Sequence, residues 1–384
     1  MKINYRQLSI ITFMSFIALK FLALPSLLYL ESKNMSMFVA LALMIIDGLY
    51  VFVILDLMKK SGEKNIYEFM KSCLGKVISK IILILLILKY ALVIGNISKG
   101  LEFFVVENLY SEYNWFVFVL PLMILIGFMI YKGIRNIARV SEMVCWAIVI
   151  GLIYIALKAL SGIDVLSFLP FFKDGVQPLL NSAYRHISWF GSATFLFMLF
   201  GFVDFRSEKK LKMIKYIIFA ILIVQLLYFV FYGLFEITSP THNYCISDIS
   251  QFSSTYSAID ELSWLVVSMW IVAQAVQLAL YSYCLAQALK FLFDIKGNIL
   301  PIIIVILYLL MWSFIGENTI RMERIFFSHF ASIVTLLAQY ILPIILEIVY
   351  AIKHRKGENS SKIKRVRDEN KAKIRDKKEV KVNI

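Results

Sequence analysis

Residues Ser9 to Leu30 read SIITFMSFIALKFLALPSLLYL, a 22-residue apolar run. As a helix it is long enough to cross a hydrocarbon layer of roughly 30 Å. Two residues make it more than an anchor. Lys20 places a charge near mid-membrane depth, and Pro25 removes a backbone donor about one turn later. Freed backbone groups are tolerated in a membrane helix only where it faces other protein or a water-filled cavity. An intramembrane lysine calls for a partner and a function.

Outward from this run the chain continues in the same vein. Of its 384 residues, 60% are hydrophobic and 15% aromatic, with a mean hydropathy of +0.77. Soluble domains are nearer 45–50% apolar. Ten apolar segments are expected, roughly Ser9–Leu30, Met35–Met58, Val77–Phe104, Asn114–Tyr131, Glu142–Leu160, Ser182–Val203, Ile214–Ile237, Leu262–Phe293, Ile299–Ile315 and Phe327–Ile352. The fold class is thus an all-α polytopic membrane protein. Residues 1–352 form the transmembrane domain and 353–384 a basic, disordered cytoplasmic tail.

The net charge of +14 invites a nucleic-acid reading, which the distribution of charge rejects. Thirteen of the 40 lysines and arginines fall from Lys353 onward, and with the N-terminus inside, 31 of the 40 fall on the inner side. That bias sets topology and leaves both termini cytoplasmic. The first run is too long, and lacks a small-residue cleavage site, to be a removed signal peptide. Cys73, Cys145, Cys245 and Cys284 are scattered, and the four histidines lie far apart, so neither disulfides, metal nor another cofactor is expected. No Ser/His/Asp arrangement or phosphate-cradling glycine loop occurs, and the chain is not read as an enzyme. Two outer loops have room for structure: Ser161 to Asn181, with Pro170 and Pro178, and Thr238 to Glu261, with space for a short surface helix.

The sixth segment, SAYRHISWFGSATFLFMLFGFV from Ser182, clusters Gly191, Ser192 and Thr194 halfway. Interrupted segments five apart suit an inverted five-plus-five transporter repeat with broken helices 1 and 6 around a midplane site. Alternatively, the small residues serve close packing.

Residues Lys132 to Glu142 read KGIRNIARVSE. With Gly133, Ile137, Ala138, Arg139 and Glu142, this stretch resembles the loop between helices four and five of the spore germination permeases, the B subunits of nutrient germinant receptors. Other features agree in order and spacing: Gln7 before helix one, Pro25, Ile66, Glu68, Leu74 and Gly75 in the following loop, Pro170, and Ile259–Asp260 before helix eight with its Trp270. The resemblance implies the amino acid/polyamine/organocation superfamily and germinant sensing in the spore inner membrane. It also implies A and lipoprotein C subunits as partners, beside the lipid bilayer. Departures are Ala18 where the family usually has Gly, Lys20 where it has a small polar residue, and Ala193 where a Glu is frequent.

Lys20 is the first site candidate. It would add charge at a helix-one break that receives a ligand carboxylate, or occupy the place of a coupling sodium ion. Asp47 in MIIDGLY and Lys89 in ILKYALVIGN lie at similar depth, and a Lys20–Asp47 or Asp47–Lys89 pair is expected. Trp270, Gln274, Gln277 and Tyr281 share one helical stripe. Ala18, Tyr90, Asn96, Phe190, Gly191 and Ser192 complete the ligand-site candidates, and Arg139 with Glu142 is expected to make a cytoplasmic loop pair or subunit contact. The functions in view are a receptor subunit that binds a small germinant such as an amino acid, an amino acid permease, and an ion-conducting subunit.

Overall fold

A computed structural model describes residues 2–108, 116–170, 175–205, 210–254, 261–314 and 329–353. Six helices among them are long and apolar enough to cross a membrane: Leu24–Ser61, Lys76–Val105, Ile134–Gly162, Lys210–Thr241, Val266–Leu292 and His329–Lys353. Apolar side chains remain exposed on them, among them Ile84, Leu88, Ile150, Leu222 and Ile348, and on the shorter apolar helices Val119–Lys132 and Ile299–Ser313, among them Ile124, Phe128 and Ile303. A helix that is apolar all round fits a lipid environment, where every backbone group must be satisfied internally. The chain is an all-α multi-pass membrane protein. The tail from 354 to 384 and the residues Glu112, Lys173, Arg206, Ile259, Asp260, Arg321 and Arg324 lie outside the described residues.

The first run divides into α1 (Tyr5–Ala18), a 3-10 turn (Leu19–Phe21) and α2 (Leu24–Ser32). Asn4 and Gln7 form a capping box at the start of α1. Pro25 stands in the first turn of α2, where its missing N–H costs nothing, so it starts the second half of the run. There follow α3 (Ser36–Ser61), α4 (Ile66–Leu74), α5 (Lys76–Asn108), α6 (Phe116–Lys132) and α7 (Ile134–Ala159).

The second interrupted run starts with α8 (Gln177–His186) and a 3-10 turn (Ile187–Trp189). After extended Phe190, Gly191 takes φ +94°, and the chain continues as a 3-10 segment (Thr194–Leu199). Beyond Gly191 the run continues in 3-10 and does not regain α geometry. It ends through Gly201 (φ +80°) in β2 (Val203–Asp204), which pairs in parallel with β1 (Ile3–Asn4). The remaining helices are α9 (Lys210–Phe235), α10 (Cys245–Ser254) in the loop that follows it, α11 (Glu261–Leu292), α12 (Ile299–Phe314) and α13 (His329–Lys353). Helix α11 is the central element and packs on α5, α7 and α1.

Ionic contacts gather the basic loops at one end of the bundle. Lys80 pairs with Asp294 at 3.2 Å, Lys60 with Glu347, and Lys353 donates to the Ser72 carbonyl at 2.9 Å. Glu142 pairs with Arg6 at 3.5 Å and accepts from Gln7 at 3.0 Å, while Arg139 is exposed. The expected Arg139–Glu142 pair is therefore not made; Glu142 turns toward the start of α1. At the opposite end Glu31 pairs with Arg185 at 2.9 Å.

A Cβ on Gly201 would lie 2.9 Å from the Glu63 carbonyl oxygen, in a left-handed conformation that already strains other residues. Gly201→Val is expected to lose about 1–3 kcal/mol of stability. A fall in melting temperature of the detergent-purified protein checks this, and an unchanged melting curve would contradict it.

Candidate functional site

Where the second run breaks at Gly191, a helical piece ends and another begins, leaving carbonyls on one side and N–H groups on the other. Asp47 of α3 answers the N–H side. Its carboxylate accepts from Gly191 N at 3.0 and 3.1 Å and from Ser192 N at 3.2 Å. Gln339 Nε2 (2.5 Å) and the Tyr340 hydroxyl (2.7 Å) of α13 complete the shell.

Two ammonium groups answer the carbonyl side. Lys20 Nζ donates to the Trp189 carbonyl at 2.6 Å and Ser192 Oγ at 3.3 Å, and lies 4.2 Å from the Phe190 ring centroid. Lys89 Nζ donates to the carbonyls of Ser188 (3.1 Å) and Phe190 (3.3 Å) and to Thr335 Oγ1 (2.8 Å). Lys20 and Asp47 are fully buried, and Lys89 is 1% exposed. The charges thus follow the partial charges of the broken helix, anion at its N–H end and cations at its carbonyl end.

The expected direct ion pairs are absent. Neither lysine approaches Asp47 within 4.0 Å; the break stands between them and each charge is matched to backbone. Two of the three Lys20 ammonium donors are engaged in this way, by Trp189 and Ser192. Gly191 is required here: a Cβ would lie 3.1 Å from both Lys89 Nζ and Gln339 Oε1.

Sequence reasoning missed the contribution of α13. Its stretch Leu336–Ile341 is π-helical. Pro343 explains this, since its ring crowds the carbonyl four residues back, that of Gln339. The wider turn lets the adjacent residues Gln339 and Tyr340 both reach Asp47. The available signal was a proline with polar residues spaced by four, Thr335 and Gln339, inside an apolar run.

The break of the first run faces α11. Gln274 Nε2 donates to the Ala18 carbonyl at 2.6 Å and Gln277 Nε2 to Ser15 Oγ at 3.1 Å. Ser15 Oγ also contacts the Ser192 carbonyl (3.2 Å) and the Tyr281 hydroxyl (3.4 Å). Tyr90 donates to the Thr194 carbonyl at 2.9 Å. Trp270 packs on Phe21 with ring centroids 5.5 Å apart, and the Tyr228 hydroxyl holds the Lys20 carbonyl at 2.7 Å. Two polar atoms of the stripe have no partner: Trp270 Nε1 and Gln274 Oε1, one turn apart on residues 1% and 0% exposed. Helix α2 starts at Leu24 without a side-chain cap. Asn96, Arg139 and Glu142 take no part in either break. Among the described residues no three His, Cys, Asp or Glu side chains converge to hold a metal.

A profile of the spore germination protein family (spore permeases) matches residues 2–320. The chain is also similar to spore germination protein A2 of Bacillus subtilis (strain 168), at 23% identity over 321 residues, 80% of this chain and 83% of the relative. The profile match spans most of the chain, which belongs to the spore germination permease family.

Removing the anion from this cluster leaves two buried ammonium groups uncompensated. Asp47→Ala is expected to cost about 3–5 kcal/mol, seen as loss of folded, membrane-extracted protein. Asp47→Asn with Lys89→Met should recover part of it. Equal yields and melting curves for Asp47→Ala and wild type would refute the assignment.

Proposed function

We propose that this spore germination permease is the membrane subunit of a nutrient-germinant receptor, acting beside an A subunit and a lipoprotein C subunit in the spore inner membrane. In this reading residues 1–352 form ten membrane segments in an inverted five-plus-five repeat, with both termini and the 353–384 tail in the cytoplasm. Its support is that the two interrupted runs lie five segments apart and meet at their breaks through Lys20 and Trp189. The start of the first also lies beside the end of the sixth through β1 and β2.

The observation that carries the reading is the contrast between the two breaks. The backbone groups of the sixth are met by the chain's own charges, although Gln339 Oε1 beside them is also buried without a partner. Helix ends and unwound carbonyls are where a secondary transporter holds its coupling ion, and here lysine ammonium groups fill that place. That favours sensing over ion-driven uptake. The first break keeps a buried unpaired donor, Trp270 Nε1, and a buried unpaired acceptor, Gln274 Oε1. A free amino acid matches both: its carboxylate accepts from the indole and from the uncapped start of α2, and its ammonium donates to Gln274. Binding that is tighter in one arrangement of the broken helices than in the other shifts their populations, and that shift is the signal.

Trp270→Phe and Gln274→Met each remove one of these groups. Each is expected to raise the amino acid concentration for half-maximal germination at least ~10-fold, about 1.4 kcal/mol, at unchanged protein level. An unchanged dose response would remove this site. Accumulation of labelled amino acid in vesicles holding the purified protein alone would replace the receptor by a permease.

A further inference from the structure

Most basic residues at the loop-rich end of the bundle that make ionic contacts have carboxylate partners: Lys2 with Glu63, Arg6 with Glu142, Lys60 with Asp56 and Glu347, Lys80 with Asp294. One group differs. Lys132, Arg135 and Lys290 line a single cavity of about 270 Å³ between the α6–α7 turn, the end of α11 and the start of α12. No Asp or Glu lines it. Lys132 lies over the Phe128 ring at 5.4 Å, Lys290 donates to Asn298 Oδ1 at 2.7 Å, and Arg135 has no ion-pair partner among the described residues.

The backbone adds to the field. Gly133, at φ +81°, turns the chain so that α7 begins at the cavity wall without a side-chain cap. An uncapped helix start favours an anion. Three unneutralised cations and an uncapped helix start around one concavity describe an anion site; topology alone requires only that basic residues lie on that side of the membrane.

The lip of the cavity narrows the choice of anion. Tyr131 of its wall is 62% exposed, and the adjoining Ile299 and Leu300 are 64% and 53% exposed. A polar interior beside an exposed apolar lip suits a molecule with a phosphate at one end and acyl chains at the other. The volume lies just under the about 300–1,000 Å³ of drug-sized sites, enough for a headgroup with the chains left in the bilayer. Basic pockets between membrane helices bind such headgroups.

We propose that this cavity binds the phosphodiester headgroup of an anionic phospholipid, held by Lys132, Arg135 and Lys290. Occupancy joins α6, α7, α11 and α12 at one end, and α11 is the helix that carries Trp270 and Gln274.

The test uses the full-length protein in a zwitterionic detergent, with melting temperature read while short-chain phosphatidylglycerol, short-chain phosphatidylcholine or glycerol phosphate is titrated. Phosphatidylglycerol is expected to raise the melting temperature saturably, and phosphatidylcholine not to. Arg135→Gln with Lys290→Gln should weaken the phosphatidylglycerol response at least 10-fold while leaving the lipid-free melting temperature unchanged. Lys64→Gln with Lys71→Gln, which removes two charges from the same end, should leave the response intact. Should the double variant melt early without lipid, Arg135→Gln alone gives the same comparison. Equal responses to the two lipids, or equal losses in the pocket and control variants, would overturn the site. A glycerol phosphate response matching that of the lipid would overturn the lipid as source and leave a soluble phosphate ester.

Discussion

The structure depends on how the break at Gly191 is satisfied. In a hydrocarbon environment unpaired carbonyl and N–H groups each cost several kcal/mol, and this break exposes several at mid-depth. Asp47 and the two lysines meet them from α3, the first run and α5, with α13 closing the shell. The same contacts explain why three charges are tolerated at that depth: each is hydrogen-bonded and matched to a helix end. Break and charges require one another, and the four elements that supply them are thereby fixed in place around the sixth segment.

Much of this was readable beforehand, because its causes are local in sequence. Apolar runs give the spans, Pro25 marks where a helix must restart, and Gly191 among small residues marks where one can stop. Lys20, Asp47 and Lys89 announce themselves by residue type and depth. Their partners do not. A sequence gives depth along a helix but not which way each helix faces its neighbours, so a salt bridge between like-depth charges was the natural expectation. In the structure backbone groups come between them. The turn of Glu142 to Arg6 and Gln7 is a similar case, since the start of α1 is far away in the chain. The π-helical stretch of α13 had a local cause in Pro343, but its consequence, two adjacent side chains reaching one carboxylate, appears only when α3 lies beside it.

Helix α11 ties these features together. Midway it lays an amide-aromatic stripe along the first run, and at its far end it forms part of the basic cavity wall. It is also buried along most of its length. A well-packed helix shifts as a unit more easily than it bends, because close packing transmits displacement. On the proposed reading, a displacement of α11 at the stripe is carried directly to the cavity at its end.

The Asp47 side chain has one more consequence. It occupies the place at a helix start where a solute's carboxylate would otherwise dock, and it arrives there by folding rather than by diffusion. A free anion joining that position loses translational and rotational freedom worth about 4–15 kcal/mol, a loss the tethered group does not incur. Asp47 is in this sense a resident occupant that outcompetes visitors of equal chemistry at any ordinary concentration. A solute anion would have to displace this side chain to reach the N–H groups of Gly191 and Ser192.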